Sequence, residues 1–204
     1  MQLSHRIFLG YFVIVAIAGY FLLKSVQEEF KPAVRQSMEE TLVDTANLLA
    51  EIVESDLRNN SLDKSDFASA VQDFVARRPA ANIWGYEKND ISYRIYITDA
   101  NGIVVYDSGG QAVGDDYSQW NDVYLTLRGQ YGARSTKTDP NDESSSVMHV
   151  AAPIKDSEEI IGVMTVSKPN ISVLPFIELS QHNILKAGFV DRKSTRLNSS
   201  HDQS

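Results

Sequence analysis

Three kinds of hydrophobic pattern follow one another along this chain. The first is a run of seventeen uncharged residues, IFLGYFVIVAIAGYFLL, from Ile7 to Leu23, set between Arg6 and Lys24. It is apolar on every side, so as a helix it has no polar face to lay on water. At about 1.5 Å per residue it is roughly 25 Å long, near the lower limit for a membrane span, and a span is predicted. Tyr11 and Tyr20 sit near its ends as interfacial anchors would, and Gly10 and Gly19 are tolerated in lipid. A signal peptide would have a shorter apolar core and a small-x-small cleavage site, whereas KSVQEEFKPAV follows here. A buried core helix would need something ahead of it to pack on.

From Ser25 the apolar positions recur every three or four residues: Val26, Phe30, Val34, Met38, Leu42, Thr45, Leu49, Ile52 and Val53. This predicts a long helix leaving the membrane directly, with Pro32 as a kink or break. A second helix is expected after Asn59-Asn60-Ser61, capped by Ser61 or Asp63. It would bury Phe67, Ala70, Val71, Phe74 and Val75 and close at Pro79.

The period then changes to two. Tyr93–Thr98 and Ile103–Tyr106 flank the turn Asp99-Ala-Asn-Gly102 and predict a hairpin. Residues 117–127 read as a short helix with Trp120, Val123, Tyr124 and Leu127 inward. A polar loop over 138–145 leads to a second hairpin, 146–154 and 160–167, and a closing helix is expected from Asn170. The fold class is α+β: a long N-terminal helix continuing from a membrane span, and an antiparallel sheet flanked by helices.

Composition narrows the partners. A net charge of −8 with scattered basic residues argues against nucleic acid. Cysteine is absent, which excludes disulfides, thiolate zinc sites and a lipoprotein anchor. The four histidines, His5, His149, His182 and His201, have no ligand spacing. About 165 residues follow the anchor, enough for one domain with its own core. By the positive-inside rule the N-terminus stays cytoplasmic and the bulk is exported to the periplasm. The tail Asp191–His201 has no apolar face and reads as in-frame translation of a sequencing adapter, so residues 191–204 are expected to be non-native. It interrupts Ile184–Val190, which reads as the start of a second span. The expected organisation is thus 1–24 N-terminus and span, 25–180 sensor domain, 181–190 start of the second span, 191–204 tail.

A resemblance adds to this. Val150–Pro169 is similar to the last hairpin of single Cache (PAS-like) extracellular sensor domains, and Tyr96–Asp107 to their central hairpin. A closer likeness is to inner-membrane sensor histidine kinases of two-component systems. It rests on Leu9–Phe12, Lys31–Arg35, Thr41–Ala46, Asp116–Val123, Leu125–Ser135 and Lys168–Asn170, and it covers about Leu9 to Lys186. The resemblance implies a PAS/Cache-like sheet and a homodimer, with the exposed stripe of the long helix as its seam. It implies a small-molecule or envelope signal, and a response regulator reached only through a cytoplasmic region that this chain lacks. ATP and magnesium would belong to that missing region; no cofactor is expected here. The alternative is a single-span periplasmic binding or assembly protein without kinase output.

No catalytic constellation is expected. Asp115/Asp116 and Asp142/Glu143 are adjacent turn residues that diverge, and 139–143 lacks the ligand pattern of a calcium loop. His182 lacks the context of a phosphoacceptor box. Binding is the better prospect, in the pocket that the resemblance implies between the sheet and its covering loops. The candidates are Arg94 and Tyr96 on one face of a strand, with Trp120, Tyr131 and Arg134 around the connecting segment. Arginine forks onto carboxylates and aromatics form rigid walls. Equally open is that Trp120 and Tyr131 are core and the arginines sit in surface ion pairs. Di- and tricarboxylate-binding relatives carry basic residues where this chain has His149 and Ala151, which argues against a citrate-like ligand.

Overall fold

The computed structural model describes residues 3–170 except 84, 138, 143 and 144. The expected closing helix, the second span at 181–190, the tail from Asp191 and the juxtamembrane His182 lie outside the described residues. The chain divides into two compact units, parted between Leu42 and Val43.

The first unit is the N-terminal part of α1, Leu3–Arg58. The helix runs through Pro32 without ending there, so proline marks no break between the two stretches read from sequence. The large apolar side chains from Ile7 to Phe21 are mostly more than half exposed. Among the described residues no helix is long and apolar enough to cross a membrane. The uncharged run is the nearest approach, at about 25 Å against a hydrocarbon core of about 30 Å.

The second unit is α+β, with helices laid on an antiparallel sheet. The buried positions of α1 here are Ala46, Ala50 and Val53, while Ile52 and Leu48 stay exposed. Met38, Leu42 and Val53 are buried as the spacing predicts, but between Leu42 and Val53 the buried positions are Ala46 and Ala50, one place on from Thr45 and Leu49. At Gly162 a Cβ would stand 2.6 Å from Leu57 Cδ2 and 2.4 Å from the Thr98 carbonyl oxygen.

A 3-10 turn, Leu62–Lys64, precedes α2, Asp66–Ala76. The cap of α2 is Ser65, whose Oγ accepts the Ala68 N–H at 3.1 Å, and neither Ser61 nor Asp63 takes that part. Helix α2 buries Phe67, Ala68 and Val71; Ala70, expected inside, is exposed. A two-stranded hairpin absent from the sequence reading follows, β1 (Ala81–Ile83) with β2 (Tyr86–Lys88).

The main sheet holds β3 (Arg94–Asp99), β4 (Val104–Asp107), β5 (Gly132–Lys137), β6 (Ser146–Asp156) and β7 (Glu159–Pro169). All its pairs are antiparallel, in the order β4-β3-β7-β6-β5. Between β4 and β5 lies α3, Asn121–Thr126. Both expected hairpins are present; β5 was not foreseen. Register decides which residues share a face. Ile95, Ile97, Val150, Ala152, Met164 and Val166 form one buried apolar side. Arg94, Ser167, His149 and Arg134 stand in one row across the other side, with Tyr96, Thr165, Ala151 and Gly132 in the next.

Candidate functional site

The second face is covered by α3 and the loop before it, and that cover is fixed by short-range hydrogen bonds. The Asp107 carboxylate accepts the N–H groups of Gly109, Gln111 and Ala112 at 3.0–3.1 Å. Val104 N–H donates to the Asp115 carbonyl and Tyr117 N–H to that of Gly102. Gly102 has φ +85°, and a Cβ on it would lie 2.6 Å from Ser118 Cα, so only glycine lets the loop cross there. At Gly132 a Cβ would meet the Asp122 carbonyl oxygen and Thr126 Oγ1 at 2.2 Å each. A bare backbone at the start of β5 thus lets α3 settle onto the strand.

The consequence is that Asp122 is completely buried. Its carboxylate accepts a hydrogen bond from the Tyr96 hydroxyl and one of 2.7 Å from Arg134 Nε. Arg134 also donates to the Tyr96 oxygen at 3.3 Å, closing a triangle of three side chains from β3, α3 and β5. The Arg134 guanidinium carbon lies 4.0 Å from the Trp120 ring centroid, and Trp120 stacks on Tyr117 at 3.5 Å. Burial, then the negative charge of Asp122, push the Tyr96 hydroxyl far above its ordinary pKa, so it remains a donor. Burial would lower Arg134, but the charge of Asp122, the Tyr96 oxygen and the hydrogen bonds to both together outweigh it, and the net shift is upward.

A second ion pair stands at the other end of the row. Arg94 forks onto Asp107 with two contacts of 2.8 Å. Burial would raise the Asp107 carboxyl, yet hydrogen bonds from Arg94 and from the backbone of Gly109 and Ala112 hold it at about 2. Between the pairs lies His149, 6% exposed, with Nδ1 2.7 Å from Ser167 Oγ and Nε2 3.0 Å from Thr136 Oγ1. Burial first, then the charge of Arg134, push its imidazole down to about 4, so it is neutral near pH 7. The Ser167–His149 pair has the spacing of a nucleophile and base, but both are buried and a hydroxyl occupies the other ring nitrogen. No reacting group reaches it.

Of the five candidates, Tyr96, Trp120 and Arg134 come together. Arg94 stands apart with Asp107, although its guanidinium carbon is 6.0 Å from the Tyr96 ring. Tyr131 is 54% exposed, just ahead of β5, and the structure does not bring it into the cluster. Sequence reasoning passed over Asp107, Asp122 and Tyr117. Asp122 gives no signal, since acids in the first turn of a helix are ordinarily solvated. The Asp-Ser-Gly-Gly turn at 107–110 could have suggested a carboxylate that gathers backbone N–H groups. Both cations face carboxylates and the histidine is neutral, so the network as a whole has no net charge to draw in an anion. Among the described residues no group of three metal-ligating side chains converges.

No protein-family model matches the chain. Over 190 residues it is 48% identical to Sensor protein CreC of Escherichia coli (strain K12). The chain is homologous to CreC. The match takes in 93% of this chain and 40% of CreC, so the chain spans less than half of that curated relative. Among solved structures it is similar to the sensor domain of the histidine kinase DctB of V. cholerae. That match has a TM-score of 0.49 and 14% identity, over 72% of this chain and 54% of the other. A looser likeness, TM-score 0.30 with 18% identity, is to the ligand-binding domain of the Campylobacter jejuni chemoreceptor Tlp3 in complex with L-norvaline. It covers 65% of this chain and 60% of that one. At such distances the likeness says nothing about a ligand.

Proposed function

We propose that this chain is the extracytoplasmic signal-sensing portion of a two-component sensor histidine kinase. The observation that carries this reading is the 48% identity to a sensor protein along nearly all of the chain. In this reading Ile7–Leu23 anchors the protein in the bacterial inner membrane with the N-terminus cytoplasmic, and the second unit lies in the periplasm. The exposure of the large apolar side chains from Ile7 to Phe21 supports an anchor, and a slightly short span is met by local thinning of the bilayer. Two copies pair along α1 through Leu48 and Ile52, which are 63% and 55% exposed one turn apart. The polar face around Tyr96, Trp120 and Arg134, flanked by Arg94 and Tyr131, reads a small molecule. Binding there shifts α3 and the sheet, and α1 passes the displacement toward the membrane. Phosphoryl transfer to a response regulator belongs to a region outside this chain.

Two measurements test this. Reading the locus beyond the codon for Val190 should reveal an apolar run followed by a phosphoacceptor histidine box; an early natural stop would sink the kinase reading. In the longer protein, Trp120→Ala should abolish the signal-evoked change in autophosphorylation without lowering its signal-free level. An unchanged response would remove the polar face as the sensing site.

A further inference from the structure

Against the apolar face of the sheet, on the side away from the polar network, α1, α2 and the start of β3 leave an open groove of about 600 Å3. Leu49 and Ile52 from α1, Phe67, Val71 and Phe74 from α2, and Tyr93 before β3 form most of its wall. This volume falls within the usual range of small-molecule sites, about 300–1,000 Å3. Two carboxylates, Asp56 and Asp66, also line it. Among the described residues neither has a hydrogen-bond or ion-pair partner for its side chain. Asp66 stands in the first turn of α2, where the helix dipole favours it. Asp56 has no such reason. It lies in the last turn of α1, where the dipole disfavours an anion, and nearby Arg58 is engaged with Glu54 and Asp156.

We propose that this groove binds an amphiphilic cation, its apolar tail between α1 and α2 and its ammonium head between Asp56 and Asp66. The aromatic pair Phe74–Tyr93, ring centroids 6.2 Å apart, suits such a guest. The acidic balance of the chain works in the same direction. The site uses none of the residues of the polar face, so it is independent of small-molecule reading there; it shares Ile52 with the seam proposed along α1, and the oligomeric-state arm of the test separates the two.

The test uses the full chain in lipid nanodiscs and three probes with the same tail: hexyltrimethylammonium, hexanol and hexanoate. Binding is measured by calorimetry, with empty nanodiscs as the reference. The ammonium probe should bind at least about tenfold more tightly than hexanoate. Asp56→Asn with Asp66→Asn should bring the three affinities together, and Ala70→Trp should fill the groove and remove binding of all three. Circular dichroism melts establish that each variant folds, and Asp56→Asn alone serves if the double variant does not. Equal binding of the three probes to the unmodified chain would overturn the proposal, as would cation binding that survives Ala70→Trp. Should the probes fail to bind while Ala70→Trp lowers the oligomeric state in light scattering, the groove is a seam between copies and the proposal fails.

Discussion

The two faces of the main sheet are built by the same strands one residue out of step, and they meet burial in opposite ways. Ile97, Val150, Met164 and Val166 fill one side with hydrocarbon under the helices, where any well-fitting apolar side chain would serve. On the other side Tyr96, Asp122, Arg134, Asp107 and His149 are buried or half-buried and held by specific partners, beside an apolar cluster of Val104, Val123, Ala151 and Val163. Alternation of period two makes the separation possible, since each residue of a strand points away from its neighbours. Hydrocarbon packing stabilises without choosing a geometry. A buried polar network allows few arrangements, and a small polar molecule entering it has to displace or join them. That makes the second face a place where ligand binding would be coupled to shape.

The largest effect should come from Asp122→Ala. It leaves Arg134 and the Tyr96 hydroxyl without their common acceptor, and breaking a buried pair costs about 3–5 kcal/mol. Denaturation of the full chain should reveal that loss, together with a change in tryptophan emission as Trp120 loses its ordered guanidinium neighbour. On the apolar face, Ile97→Ala should cost about 2–4 kcal/mol through a cavity and leave the Trp120 environment unaltered. If both variants disturb Trp120 alike, the faces are not energetically separate.

Acid should separate the faces next. His149 has a folded pKa of about 4 against an ordinary value of 6.5. The unfolded chain therefore binds the extra proton first as pH falls. The stability tied to neutral His149 is whole above pH 6.5 and is lost between 6.5 and 4, on the order of 3 kcal/mol at most. The groups around the imidazole are Arg134, Asp122 and Arg94, and the two arginines oppose protonation. A thermal melt of His149→Gln should be nearly flat over that window where the parent declines. Asp107 acts lower down: its contribution, present above about 3.8, fades only as pH approaches about 2.

How far all this could be read in advance depends on what carries the signal. The hairpins around 99–102 and 155–158 were legible because their strands alternate and their turns use turn-forming residues. Strand β5 was not, since Gly132-Ala-Arg-Ser-Thr-Lys137 has no apolar alternation; its pairing with β6 defines it. Tyr96, Trp120 and Arg134 could be named from residue chemistry. The acceptor that unites them could not, because the burial of Asp122 depends on Gly132 passing beneath α3, a contact between residues with no local pattern in common. The cap at Ser65 was missed for a smaller reason: Ser61, Asp63 and Ser65 all precede the helix, and the 3-10 turn chooses among them.

The smallest predicted effect is the most discriminating. Thr98 and Thr165 lie on the polar face, completely buried, and among the described residues their hydroxyl oxygens have no hydrogen-bond partner. Thr165 stands directly across from Tyr96 in the β3–β7 register, beside the network rather than in it. A buried hydroxyl without a partner costs about 1–3 kcal/mol in lost hydration, and valine has nearly the same shape without that debt. Thr165→Val should therefore be neutral or stabilise the chain by up to about 1 kcal/mol, a small rise in Tm. The same substitution on a paired hydroxyl, Ser167→Ala, should lower Tm, because it strips His149 of a partner at 2.7 Å. If Thr165→Val lowers Tm instead, the hydroxyl is bonded to solvent or a bound molecule in solution. The polar face would then hold an occupant against Tyr96.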